Sequence, residues 1–143
     1  MIGCMVKTTQ IEVSTQGHCH IVDMTDAVRD ALDRLGPVDS GTVVLFHVGS
    51  TGALTTIEYE PGLVKHDINA ALERVAPAAG HYEHEETWHD DNGHSHVRAS
   101  LLGPSLTVPV VDGQLALGTW QQIVLIDFDT RPRRRSIVCQ VIT

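Results

Sequence analysis

The spacing of apolar positions switches between two periods along the chain, and each switch marks a new element. Residues 6–13 (VKTTQIEV) and 19–23 (CHIVD) read as strands separated by a turn at Ser14–Gly17. Val28, Ala31, Leu32 and Leu35 then fall at i, i+3, i+4 and i+7, the stripe of an amphipathic helix over 24–35. Thr25 is placed to cap that helix, and Gly36-Pro37 to stop it. Residues 42–48 (TVVLFHV) and 53–59 (ALTTIEY) form two more strands around a Gly49–Gly52 turn. A second helix follows Pro61-Gly62, with Ile68, Ala71, Leu72 and Val75 as its stripe and Pro77 as its end.

Residues 78–95 are polar and aperiodic, which predicts a long loop; loops of such length in compact domains usually serve a function. Short strands are expected near 96–102, 105–110 and 114–117, the last two joined by a tight Asp112-Gly113 hairpin. Two strands at 120–128 (WQQIVLIDF) and 135–142 (RSIVCQVI) complete the chain. The order ββαββα followed by five short strands predicts an α+β fold, an antiparallel sandwich-like sheet carrying two helices. A (β/α)₈ barrel is excluded, since it needs more than about 200 residues and strict alternation.

The 143 residues suit a single domain spanning 1–143. No apolar run approaches the roughly 20 residues that cross a bilayer, and Met1 to Gln10 lack the pattern of a signal peptide, so a cytoplasmic location is expected. Cys4, Cys19 and Cys139 are widely spaced and odd in number, which argues against disulfides and thiolate zinc and suggests small buried residues. A net charge of −8 makes a nucleic-acid partner a poor expectation. The basic residues gather only at Arg131, Arg133, Arg134 and Arg135, planar donors suited to phosphate or carboxylate.

Histidine is the compositional anomaly. Of nine, five (His81, His84, His89, His94 and His96) fall between residues 81 and 96. His94 and His96 at i and i+2 would face the same way if they enter a strand. With His84 as third ligand, they could hold zinc or another divalent metal and leave one position open. Asp90, Asp91 and Glu58 are placed to orient such rings, and Glu58 and His89 are the candidates for acid–base work. His18 and His20 read as strand surface, and His47, ending an apolar strand, as semi-buried or functional. The Gly49-Ser50-Thr51-Gly52 turn offers amides and the Ser50 and Thr51 hydroxyls to a phosphate, without the Gly-Lys-Ser/Thr ending of a P-loop. Trp120 reads as a core or subunit-interface anchor.

Four segments resemble the YjbQ-like family: Ser50 to Glu58 (STGALTTIE), Tyr82-Glu83-His84, Asn92 to His96 (NGHSH) and Leu115 to Gln121 (LALGTWQ). The turn Asp129 to Arg133 (DTRPR) adds to them. The resemblance implies a sandwich-like homotrimer with a polar site near subunit boundaries, built from the Glu and His positions above and sometimes occupied by a metal. It also implies a small phosphorylated ligand and a weak thiamine-phosphate synthase activity. One departure stands out: where the family carries a histidine at the head of the first segment this chain has Gly49, with His47 two residues earlier.

Overall fold

A computed structural model describes residues 3–143. Ten-residue β1 (Val6–Thr15) leads into short β2 (His20–Asp23), helix α1 (Thr25–Leu35), β3 (Gly41–His47) and β4 (Gly52–Ile57). A π-helical turn, Leu63–Asp67, opens α2 (Ile68–Val75), and two more helices follow, α3 (Glu83–Trp88) and α4 (Gly93–Leu102). Strands β5 (Ser105–Val111), β6 (Gln114–Leu115), β7 (Gln122–Asp127) and β8 (Arg133–Ile142) complete the chain.

The strands form two antiparallel sheets, ordered β1-β8-β3-β5-β6 and β2-β7-β4. Their facing sides, joined by α1, enclose the larger core of Ile11, Val28, Val43, Leu45, Leu54, Ile123, Leu125, Ile137 and Val141. The other face of the three-stranded sheet is covered by α2 and α4, through Ala53, Ala99, Val124, Ile126 and Phe128. Both faces of β7 are therefore buried, which is why Ile123-Val124-Leu125-Ile126 is an unbroken apolar run rather than an alternation. By contrast β1 alternates, because its outer side meets solvent. The expected α+β sandwich is thus present, with four helices instead of two.

Two local expectations are met for their stated reasons. Asp112 (φ 50°) and Gly113 (φ 75°) make the two-residue β5–β6 turn, whose hand requires positive φ at both positions. Gly36 (φ 92°) closes α1. The Thr25 hydroxyl, however, accepts from the Ile123 amide at 3.0 Å, and the carboxylate of Asp23 accepts from the Thr25 amide at 2.9 Å. Asp23 satisfies that helix end.

The strand expected at 96–102 is helix α4, and the loop expected at 78–95 contains α3. The reason is composition. The buried side of α4 is Gly93, His94, Ser95, Arg98 and Ala99, a helical face made largely of polar residues, while Leu101 is exposed. A search for apolar periodicity cannot see such a face. Arg98 makes it possible. Its fully buried guanidinium donates to the Ala76 carbonyl at 2.8 Å, to Asn69 at 3.1 Å and to Glu73 at 2.6 Å, fastening α4 to the end of α2. Cys19 and Cys139 are buried as expected, whereas Cys4 is exposed, and Trp120 is 71% exposed and belongs to no core.

At one end the core between the sheets turns polar. Asp127 of β7 and Arg135 of β8 meet there, Nε to Oδ2 at 2.7 Å and Nη2 to Oδ1 at 2.6 Å, with the hydroxyl of Thr15 also on Asp127. Removing one partner of a buried ion pair typically costs about 3–5 kcal/mol. Asp127→Ala should lose about that much in urea unfolding, and far more than Glu12→Ala, which breaks the exposed Glu12–Arg134 pair.

Candidate functional site

The polar end of the sandwich continues outward into a cleft. From Asp127 the chain turns so that the Asp129 amide donates to Asp127 at 2.9 Å. The Asp129 carboxylate then accepts from Arg133 at 2.8 Å and Thr51 at 3.2 Å. Arg135 donates to the Thr51 hydroxyl at 2.8 Å. One network thus fixes the β3–β4 turn to the turn after β7. Burial alone would raise the Asp127 and Asp129 pKa values, but the arginine, hydroxyl and amide donors outweigh it and hold both below the ordinary carboxylate value.

The β3–β4 turn winds around the ring of His47. That ring is 0% exposed, and a Cβ added at Gly49 or Gly52 would lie 2.8 or 2.9 Å from its Cε1 atom. A side chain at either position would have to displace the buried ring. Neither ring nitrogen has a hydrogen-bond partner; the backbone of Gly52 lies close but outside bonding geometry. Burial, followed by the charge of Arg135, holds His47 below its usual pKa. On the outer side of the turn, Gly49, Ser50 and Gly52 line a cleft of about 290 Å³, closed by His96, Ala99, Ser100 and Pro104. Ser50 faces this cleft, while Thr51 points inward to the network. A cleft of about 490 Å³ between the end of α1 and the β5–β6 turn holds Asp33 and Asp39 and no histidine or arginine.

His96 links the cleft to α3. Its ring lies 4.4 Å from that of His84, centre to centre, and His84 Nε2 is 3.5 Å from Asp90 Oδ1. Burial, then the neighbouring His84, lowers the His96 pKa. The segment is anchored to the network's turn: Thr130 donates to Asp91 at 2.7 Å, Arg131 approaches Asp91 at 3.8 Å, and the Ser95 hydroxyl donates to the Phe128 carbonyl.

The structure therefore brings together only part of the expected ligand set. His84 and His96 adjoin, with Asp90 beside them. His94 does not join. On a helix, positions two apart diverge by about 200°, whereas on the expected strand they would have agreed. His94 packs instead against Tyr82 and Ser95, its pKa lowered by burial and by Arg98. Glu58 follows the far end of β4, roughly 20 Å from the Gly49–Gly52 turn at ~3.3 Å per strand residue, so it does not approach the histidines. His89 is exposed at the C-terminus of α3. Arg131 and Arg133 border the site, but each already faces a carboxylate. Among the described residues no three His, Cys, Asp or Glu side chains converge as a metal-holding group. What does meet is a pair of imidazoles, His84 and His96, with Asp90 3.5 Å from His84 Nε2.

Asp127 and Arg98 escaped sequence reasoning, and Asp129 entered it only as part of the Asp129 to Arg133 turn of the resemblance. An Asp ending an apolar strand carries no signal of an opposing arginine in another sheet, and Arg98 falls in the stretch 96–102 expected as a short strand, where nothing marks it as buried.

With this geometry in place, the comparison with known proteins is decisive on kinship. The model for the family described as "UPF0047 protein YjbQ-like" matches residues 9–143. The chain belongs to that family. It is 36% identical over 129 residues to a UPF0047 protein of Archaeoglobus fulgidus, covering 90% of this chain and 97% of that protein. It is 38% identical over 134 residues to a UPF0047 protein of Mycobacterium tuberculosis, covering 92% and 95%. Among solved structures, a protein of Sulfolobus solfataricus described as YbjQ-like and of unknown function superposes with a TM-score of 0.88. It is 31% identical, with 98% of this chain and 99% of that one covered. The resemblance read from the five segments holds along nearly the whole UPF0047 domain. No helix among the described residues is long and apolar enough to cross a membrane.

The buried histidines give the domain a pH dependence of definite sign. Because the folded pKa values of His47 and His94 lie below the ordinary 6.5, the native state binds fewer protons than the unfolded chain below that pH. Their contribution is complete above about pH 6.5 and is lost as the pH falls through the folded values. Urea midpoints should therefore drop between pH 7.5 and pH 5, and His47→Leu should make that drop smaller. Equal drops in both proteins would contradict the assignment.

Proposed function

We propose that the chain is a metal-binding protein of enzymatic type in which His84 and His96 hold a divalent ion, zinc in the first instance. Its ligand is a small phosphorylated molecule seated against Gly49, Ser50 and Gly52. The observation that carries this reading is the contact of the His84 and His96 rings beside Asp90, at the edge of a cleft that the Gly49–Gly52 turn also lines. Two neutral imidazoles suit a late divalent ion, and water and ligand would fill its remaining positions. Such an ion supplies a more acidic bound water or neutralises charge on a phosphoryl or diphosphate leaving group. Thiamine-phosphate formation, which the family resemblance implies, would use the second of these.

The protein's own groups have separate tasks. Ser50 and Ser100 offer hydroxyls to ligand oxygens, and the Thr51–Asp129–Arg135 network keeps the turn in place. Asp90 orients His84 through its ring nitrogen. His89, exposed at the end of α3, and Arg131, which faces Asp91, are the further candidates to meet a ligand larger than the cleft. Assembly as a homotrimer in the cytoplasm belongs to the same proposal. The large exposure of Trp120, within the segment most typical of the family, supports a subunit contact there. A second reading keeps the site and the trimer without turnover. It is favoured by the carboxylates that already face Arg131 and Arg133.

Two measurements test this. Elemental analysis after dialysis against zinc should give about one ion per chain, retained in His94→Asn and lost in His84→Ala and His96→Ala. Retention in the last two variants would refute the ligand assignment. Light scattering should give a mass near three times the 15.6 kDa of the chain, and a mass of one chain would remove the trimer.

A further inference from the structure

We propose that His18 is a ligand-contacting residue of this same site, held at its rim to meet the anionic group of the ligand. The inference rests on reading the cleft as a site for a phosphorylated molecule. Its starting observation is a run of three left-handed residues between β1 and β2: Gly17 (φ 74°), His18 (φ 53°) and Cys19 (φ 63°). Glycine adopts this conformation freely, but two successive residues with side chains adopt it against a steric penalty.

The other residues of this kind have ordinary explanations. Asp112 sits in a two-residue hairpin, and His89 ends α3. Cys19 is explained by packing, since its side chain is buried in the small core with Ile21 and Phe128. His18 has no such account. It is exposed, and among the described residues its side chain makes no hydrogen bond or ion pair, so nothing in the fold requires an imidazole there. Strain without a packing purpose is characteristic of functional positions.

The run is clamped from the side of the site. The His18 amide donates to the Asp129 carbonyl at 2.7 Å. A Cβ added at Gly17 would lie 2.5 Å from that oxygen and 2.8 Å from the carbonyl oxygen of Arg131. Only glycine lets the two turns touch. The turn they touch is the one whose Asp129 holds Thr51 and Arg133, whose Thr130 donates to Asp91, and which carries Arg131. The left-handed run thereby seats the backbone of His18 against the turn that carries Arg131. Imidazole and guanidinium N–H groups together are donors for phosphate oxygens.

The test pairs binding with stability in full-length His18→Asn and His18→Gly. Both replacements accept the left-handed backbone at least as readily as histidine, so their urea midpoints should equal or exceed that of the wild type. Calorimetric titration with inorganic phosphate should show affinity weakened by about tenfold in both, the effect of losing one hydrogen bond to a charged group. Unchanged phosphate affinity, or a fall in stability, would overturn the role given to His18. Absence of phosphate binding by the wild type is a distinct result. It would remove the ligand reading of the cleft, and the proposal with it.

Discussion

Everything at the functional end of this molecule depends on the ion pair of Asp127 and Arg135, buried between the two sheets. Elsewhere the sheets adhere through aliphatic contacts that are adaptable and non-directional. Here they are joined by a bidentate interaction whose geometry is fixed. Because Arg135 also holds Thr51, and Asp127 the amide of Asp129, the pair sets the position of both turns that border the cleft. A buried charge pair is a poor way to gain stability compared with apolar packing. Its presence at one end of an otherwise apolar core fits a demand for fixed geometry at that end.

Much of the fold could be read from the chain because most elements bury apolar side chains at their own period. The stripe of α1, the unbroken run of β7 and the Asp112-Gly113 turn each follow from that rule. The exception is residues 78–102, where a loop and a strand were expected and α3 and α4 stand. There the buried face of α4 is built from His94, Ser95 and Arg98, and polar burial has no period in hydropathy. Arg98 compensates by meeting three acceptors. The partner that makes its burial tolerable lies 25 residues earlier in the chain, at Glu73, and is invisible to local pattern.

The same misreading explains what happened to the expected ligand triad. An alternating strand would have pointed His94 and His96 at one ion, but a helix separates them into different roles. His94 packs into the α3–α4 region, and His96 meets His84 at the cleft. Glu58 lies at the other end of β4 because a strand of six residues separates it from the turn. Ser50, expected in a phosphate-holding turn, lines the cleft, and His84 adjoins His96. Thr51, legible as a polar turn residue, proves to serve the network beneath the turn.

The central claim is that His84 and His96 are joint ligands of one divalent ion beside the Gly49–Gly52 turn. X-ray absorption at the zinc edge of the zinc-loaded protein tests it most directly, because it reports the ligand atoms themselves. The account predicts two imidazole nitrogens at about 2.0–2.1 Å, with lighter oxygen neighbours completing the shell. A spectrum with no imidazole scattering, or with sulfur in the first coordination sphere, would contradict it.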